Sequence, residues 1–254
     1  MDAGTASKIA RLIIENPSDC PGDFRVLEIG AGTGALSVAL RMLHEDVTVL
    51  ELDEDLIRIL RDRVELAGVS IEHADALTFD YAAFARQGSW RMAGNLPYNV
   101  ATPLITKFAE MDGGPQTVVA MIQKDVADRL VAKPSTPAYG SLSVAVQYMM
   151  RVERAFTLGP NAFYPRPKVQ STVVRLVRRQ TPLAPVLDLA RFRQVVRGAF
   201  AYRRKTLANS LTLALGVRRA DVAHCLESIG IDPEIRGEQL SIADFARLAD
   251  ALAS

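Results

Sequence analysis

The residues best suited to bind and react in this 254-residue chain are three carboxylates, three glycines and an asparagine, set at the ends of apolar runs. Gly30, Gly32 and Gly34 follow Val26–Ile29 in the pattern E-x-G-x-G-x-G, counting Glu28. Position 35 is Ala, so the dinucleotide pattern G-x-G-x-x-G is not met. Small residues let the backbone turn tightly and approach a ligand, while Glu28 either organises the turn or meets a cationic group. Glu51 ends the second apolar run, where a carboxylate can accept both ribose hydroxyl hydrogens. Asp75, in HADAL, can accept adenine amino hydrogens, with the Ala76 N–H donating to the ring. Taken alone, Asp75 reads equally well as a helix cap near Thr78. The three placements together favour a methionine-derived sulfonium nucleoside over a dinucleotide or an empty structural turn. Such a ligand has an amino group and a positive sulfur and needs no open pyrophosphate cradle. We expect an S-adenosylmethionine site.

A second cluster, Asn95-Leu96-Pro97-Tyr98, follows the fourth apolar run. The Asn95 side-chain oxygen and the Leu96 carbonyl can accept the two hydrogens of an exocyclic amine while Tyr98 stacks on its ring. An aromatic amine is a poor nucleophile because its lone pair is conjugated. Two acceptors favour a pyramidal nitrogen and place that lone pair in line with a methyl group, so orientation carries the transfer. Pro97 fixes the turn and restricts Leu96. The plain structural alternative is an Asn-containing turn with Tyr98 folded onto the core.

These residues require strands that end together. Phe24–Ile29, Val47–Leu50, Val69–His73, Trp90–Ala93 and Thr117–Ile122 read as strands alternating with helices at Ala35–Leu43, Glu54–Leu66 and Thr102–Phe108, with Pro103 in the first turn of the last. Helices at Ala6–Glu15, ended by Asn16-Pro17, and at Lys124–Ala132 and Leu142–Met149 complete the set, and Val152–Leu158 and Val173–Val177 are strands around a proline-rich loop, 159–168. The order implies an α/β fold of the Rossmann-like class I methyltransferase type, with a mostly parallel seven-stranded sheet. RRQTPLAP at 178–185 breaks the apolar pattern, placing a boundary between a methyltransferase domain at 1–180 and a small all-helical domain at 181–254. There, Phe192–Leu215, Ala220–Ile229 and Ser241–Leu252 read as helices, with Gly216 and Gly230 as C-caps and Ser241 with Asp244 as an N-cap pair.

With 49% apolar residues and no apolar run of the roughly 18 residues a membrane span needs, the chain reads as an ordered soluble protein. Met1–Cys20 has no secretory pattern, and Cys20 and Cys225 have no metal spacing, so a cytoplasmic location and no metal are expected. The net charge is only +1, yet acids outnumber bases in residues 1–100, while residues 161–205 carry eleven Lys or Arg against the single acid Asp188. Such a field attracts a polyanion. Arg166, Lys168, Arg175, Arg178 and Arg179 lead into the second domain, and Arg193, Arg197, Arg203, Arg204 and Lys205 continue the basic character. At helical spacing Arg193, Arg197 and Arg204 share one side and can position RNA through its phosphates.

The chain resembles the ribosomal RNA adenine N6-dimethyltransferase family, most closely its bacterial small-subunit branch. The resemblance rests on EIGAGTG at 28–34, ELD at 51–53, ADAL at 74–77, NLPYN at 95–99, AYGSLSV at 138–144, NAFYPRPKVQSTVVRL at 161–176 and FAYRRKTLANSL at 200–211. It implies dimethylation of two adjacent adenosines in a hairpin near the 3′ end of 16S rRNA, within an immature small subunit, by a monomer using S-adenosylmethionine and yielding S-adenosylhomocysteine. By resemblance Gly30, Glu51, Asp75 and Asn95 fall on cofactor-contacting positions, Asn95 also facing the amine, and Phe163 on the aromatic that closes over the target base. Family members usually begin with a segment like K-x-x-G-Q-N/H-F-L-x-D, and this chain begins at the Asp of that motif. A chain simply lacking the segment is expected to bind cofactor less tightly and turn over poorly. The alternatives are 23S rRNA adenine methylation conferring macrolide resistance, a non-catalytic ribosome-assembly protein, and a nicotinamide oxidoreductase.

Overall fold

The computed structural model describes residues 1–15, 22–159 and 169–252, and for Tyr98 the backbone alone. A seven-stranded sheet runs in the order β3-β2-β1-β4-β5-β7-β6, from β1 (Arg25–Ile29), β2 (Val47–Glu51), β3 (Ser70–His73), β4 (Trp90–Asn95), β5 (Thr117–Gln123), β6 (Met150–Leu158) and β7 (Ser171–Arg178). The first five are parallel, while β7 pairs antiparallel with β5 and with β6. Burial on both faces explains the continuous apolar runs of β1, β2, β4 and β5. The sheet edge β6 is largely exposed and irregular between Arg154 and Phe156, a break that discourages edge pairing.

The helices are α1 (Ala3–Ile14), α2 (Ala35–Arg41), α3 (Glu54–Arg61), α4 (Tyr81–Ala85), α5 (Tyr98–Glu110), α6 (Lys124–Leu130), α7 (Ser141–Met149), α8 (Leu189–Ala201), α9 (Leu207–Leu215), α10 (Arg219–Ser228) and α11 (Ile242–Ala251). Asp2 caps α1, accepting hydrogen bonds from the Thr5 N–H and hydroxyl. Ile9 and Ile13 of α1 pack with Leu36 and Leu40 of α2 over Val26, Val49, Ala93 and Met121 of the sheet.

The chain forms two compact units. One contains Met1–Ala127 with Met150–Gln180, the other Asp128–Met149 with Thr181–Ser254. The helical unit thus takes α7, which the sequence leaves with the sheet. Its amphipathic face explains this: the Tyr148 ring lies 4.6 Å from that of Phe192 on α8, and Val144 joins the same apolar core.

Several helix bounds differ from the sequence reading; Glu54–Leu66 is α3 followed by a separate 3-10 turn at Val64–Leu66, and two further differences bear on the site. The helix holding Pro103 starts at Tyr98, with Pro97 as N-cap, so Pro103 lies in the helix interior. Phe192–Leu215 is two helices, because residues 202–205 turn out of the axis before Thr206 starts α9. Arg204 therefore does not share a helix side with Arg193 and Arg197. The Gly216 cap and the reciprocal Ser241–Asp244 capping box both form. Residues 16–21 and 160–168, including Asn16, Pro17, Cys20, Phe163, Arg166 and Lys168, lie outside the described residues.

Candidate active site

The strand order turns back between β1 and β4, so the chain leaves those strands in opposite directions and opens a crevice at their C-terminal ends. Gly30 follows β1 at that point with φ +72°, and a Cβ built on it would stand 3.8 Å from the Asn95 carbonyl of β4. Gly94 lets the strands meet, since a Cβ there would stand 2.6 Å from the Ile29 carbonyl. Its role is invisible in sequence, because the carbonyl it must clear belongs to a distant strand, β1.

The glycine loop is tethered from behind. Gly30 N–H donates to the Leu50 carbonyl at 2.9 Å, Gly32 N–H to Glu51 Oε2 at 2.8 Å, and Arg63 to the Thr33 carbonyl at 2.9 Å. Gly32 has φ +58° and open space where a Cβ would be. Gly34 serves packing: with φ +87° it starts α2, and a Cβ would come 2.8 Å from Leu60 Cδ2. It faces α3 rather than the crevice.

Glu51 is buried, and its Oε1 accepts the Leu52 and Asp53 N–H groups. Three backbone donors thus fix the carboxylate while lone pairs remain for ribose hydroxyls. Leu52, 61% exposed beside it, offers an apolar face that the sequence reading overlooked. Its only signal was an apolar residue between two acids. His73 Nε2 lies 3.0 Å from the Leu52 carbonyl and joins the ends of β2 and β3.

Asp75 does not cap a helix; it closes a turn, its Oδ1 accepting the Leu77 N–H at 2.8 Å. Asp75 Oδ2 and the Ala76 N–H have no partner among the described residues.

Glu28 is 1% exposed and its Oε2 has no hydrogen-bond partner among the described residues. Burial, with a smaller contribution from the Glu51 charge, pushes its carboxyl up to about 7. The Ser37 hydroxyl opposes part of that rise without forming a hydrogen bond of normal geometry. The side chain does not tie the turn through Oε2, which leaves a cationic partner as its complement. A glycine cradle, an anchored Glu51 and an orphaned buried carboxylate fit an S-adenosylmethionine-type ligand, with its hydroxyls, ammonium and sulfonium.

At the end of β4, Leu96 N–H donates to the Met121 carbonyl at 3.0 Å, fixing the backbone. The Asn95 amide and the Leu96 carbonyl have no partner among the described residues, and Asn95 is exposed. Pro97 accepts the Val100 and Ala101 N–H groups on its carbonyl and so holds both acceptors at the start of α5.

The predicted basic residues divide into two kinds. Arg175 pairs with Glu15 and Glu153, and Arg178 donates to the Phe108 and Pro115 carbonyls, so both serve the fold. In the helical unit Arg193 is half-buried, whereas Arg197, Arg203, Arg204 and Lys205 are exposed. The turn carrying the last three is fixed: Lys205 N–H donates to the Tyr202 carbonyl at 2.8 Å, Tyr202 N–H to Ser210 Oγ at 3.3 Å, and Ser210 Oγ to the Gly198 carbonyl at 2.7 Å. Among the described residues there is no cluster of three metal-ligating side chains and no helix long and apolar enough to cross a membrane.

A model of the family described as ribosomal RNA adenine dimethylase matches residues 9–254. The ribosomal RNA small subunit methyltransferase A of Hahella chejuensis is 43% identical over 251 residues, covering 98% of this chain and 88% of that protein. Its counterpart in Pseudomonas aeruginosa is 42% identical over 254 residues, covering 99% and 91%. Among solved structures, a dimethyladenosine transferase from Plasmodium falciparum aligns with a TM-score of 0.78 at 24% identity, covering 97% of this chain and 94% of that one. The 23S rRNA methyltransferase ErmE aligns with a TM-score of 0.72 at 25% identity, covering 100% and 99%.

Proposed function

The chain belongs to the ribosomal RNA adenine dimethylase family, and on that premise we propose that the crevice between β1 and β4 is where adenine N6 receives its methyl groups. The enzyme is S-adenosylmethionine-dependent and dimethylates adjacent adenosines of 16S rRNA during small-subunit maturation. The observation that carries the site assignment is the pair of unpartnered acceptors, the Asn95 amide oxygen and the Leu96 carbonyl, beside Gly30.

Gly30 and Gly32 bring backbone against the cofactor, Glu51 accepts its ribose hydroxyls, Asp75 and the Ala76 N–H read its adenine, and Glu28 supplies the buried counter-charge. When bound, S-adenosylmethionine supplies the methyl group on a sulfonium that departs as a neutral thioether. Asn95 and Leu96 accept the two hydrogens of the target amine and turn its lone pair out of conjugation toward the methyl carbon. The roles of Tyr98 and Phe163 against the flipped base rest on the N-L-P-Y motif and on the family resemblance of the sequence. The proton leaves after transfer, because the methylated amine is strongly acidic while cationic, so no dedicated general base is required.

Arg197, Arg203, Arg204 and Lys205, with Arg166, Lys168 and Arg193, position folded rRNA through its phosphates. The partner is 16S rRNA in an immature small subunit, and the protein acts as a cytoplasmic monomer. Mass mapping of nucleotides in immature particles from an unmethylated host, incubated with protein and methyl donor, tests this reading. Two adjacent dimethyladenosines near the 3′ end of 16S rRNA are expected. Label confined to 23S rRNA would move the enzyme to the other branch of the fold, and RNA binding without label would make it an assembly factor.

A further inference from the structure

The turn that reads the cofactor adenine is gripped from behind by a side chain the mechanism does not use. Tyr81, 1% exposed, donates its hydroxyl to the Ala76 carbonyl at 2.8 Å. Asp75 Oδ1 takes the Leu77 N–H at 2.8 Å. The peptide between Ala76 and Leu77 is therefore held at both its oxygen and its nitrogen. The ring that bears the hydroxyl is itself fixed: it stacks on Trp90 at 6.0 Å and 11°, meets the edge of Phe108 at 4.8 Å and 84°, and lies beneath the Lys107 ammonium at 4.8 Å. Trp90 in turn donates Nε1 to the Gly113 carbonyl at 2.8 Å and belongs to β4, the strand that ends at Asn95. Burial, and secondarily the Asp75 charge, push the Tyr81 phenol well above its ordinary value, so the hydroxyl remains a donor.

This clamp leaves two polar groups of the turn without partners among the described residues, an acceptor at Asp75 Oδ2 and a donor at the Ala76 N–H. An adenine edge offers the complementary pair, an amino donor beside a ring-nitrogen acceptor. A 6-oxopurine offers the reverse, an oxygen acceptor beside a ring N–H. We propose that Tyr81 is a positioning residue that sets the enzyme's preference for adenine over a 6-oxopurine in its cofactor, by locking the Ala76–Leu77 peptide.

The proposal rests on the reading of Asp75 and Ala76 as the adenine contacts, and the test separates the two. Calorimetry compares S-adenosylhomocysteine with S-inosylhomocysteine on the wild type and on Y81F, D75N and F84L. Tyr81→Phe keeps the ring and removes only the hydroxyl. It is expected to narrow the preference roughly three- to tenfold, the worth of one neutral hydrogen bond, and to raise the cofactor KM with kcat at saturation unchanged. Phe84→Leu, in the same aromatic cluster, is the packing control; it should lower the melting temperature and leave the preference intact. An unchanged preference in Y81F alongside a collapsed one in D75N overturns the role of Tyr81 and spares the reading of Asp75. An unchanged preference in D75N overturns that reading and the proposal with it. Equal narrowing in F84L and Y81F would reduce Tyr81 to packing and also overturn the proposal.

Discussion

The two ends of the sheet treat their polar groups in opposite ways. At the N-terminal ends of the parallel strands, side chains close off the backbone. Arg91, fully buried, donates to the Ile13, Ile14 and Glu15 carbonyls that end α1, and its guanidinium stacks 3.6 Å from the Phe24 ring centroid. Arg25 reaches the Phe84 carbonyl, Arg178 the Phe108 carbonyl, and His44 Nε2 lies 2.8 Å from the Phe24 carbonyl. At the C-terminal ends, Glu28 Oε2, the Asn95 amide, the Leu96 carbonyl, Asp75 Oδ2 and the Ala76 N–H stay without partners among the described residues. Unpartnered buried atoms also occur at the N-terminal ends, at Arg25 Nε and Thr117 Oγ1; what marks the C-terminal end is that a carboxylate, a side-chain amide and backbone donors and acceptors stand together there beside the glycine loop, where a ligand is expected to supply the missing bonds.

Substitutions at the two ends should therefore separate activity from stability. The largest effect is expected for Asn95→Ala, which removes an acceptor for the amine: methyl transfer should fall on the order of 10²–10³-fold while the melting temperature and RNA affinity stay near wild type. Unchanged transfer would remove Asn95 from the reaction. At the opposite end, Arg91→Met should cost on the order of 3 kcal/mol in denaturant unfolding, because it strands the carbonyls that end α1. Wild-type stability would show that solvent replaces the guanidinium there.

Glu28 sharpens the comparison through pH. Its carboxyl is raised from 4.5 to about 7 in the folded chain, so the native state holds the proton more tightly than the unfolded one. The Glu28 contribution to the stability of the cofactor-free protein should be fullest below about 4.5, decline as pH rises to about 7, and level off above, against the opposite acid slope of Asp2 and Asp244, whose carboxyls are held below their ordinary values by hydrogen bonds. Glu28→Gln should remove that slope, add on the order of 3 kcal/mol above neutrality, and weaken cofactor binding. A parallel slope in the variant would assign the dependence elsewhere. The smallest effect concerns the cations. Arg204→Ala should lower the salt slope of RNA binding by about 1 with stability unchanged, whereas Arg178→Ala should lower stability with the slope unchanged. Unfolding curves and binding across a salt series distinguish the two.

Much of this was legible in the order of residues. The apolar runs marked the central strands, because a parallel strand buried on both faces reads as a continuous run, and Gly30, Glu51 and Asn95 stand at the ends of such runs. The α8–α9 break was not legible, since Phe200 and Leu207 continue a helical spacing across Tyr202–Lys205, and only the packing of Gly198 against Ala214 and the Ser210 bridge show why the chain turns there. The basic count from 161 to 205 was also ambiguous. Arg175 and Arg204 look alike in sequence, yet one is committed to Glu15 and Glu153 while the other is exposed.

The sequence by itself determined the strand succession, the glycine turn, the carboxylates that end β2 and follow β3, and the amine-reading tetrapeptide, because these depend on local spacing and on the chemistry of single side chains. Only the tertiary structure decided which polar groups are left over. Whether Glu28 is paired, whether Gly34 faces a ligand or Leu60, and whether Tyr81 packs idly or grips the Ala76 carbonyl all depend on residues brought together from distant parts of the chain. A hydrogen bond or a desolvated charge is a property of that surrounding and is absent from either residue alone.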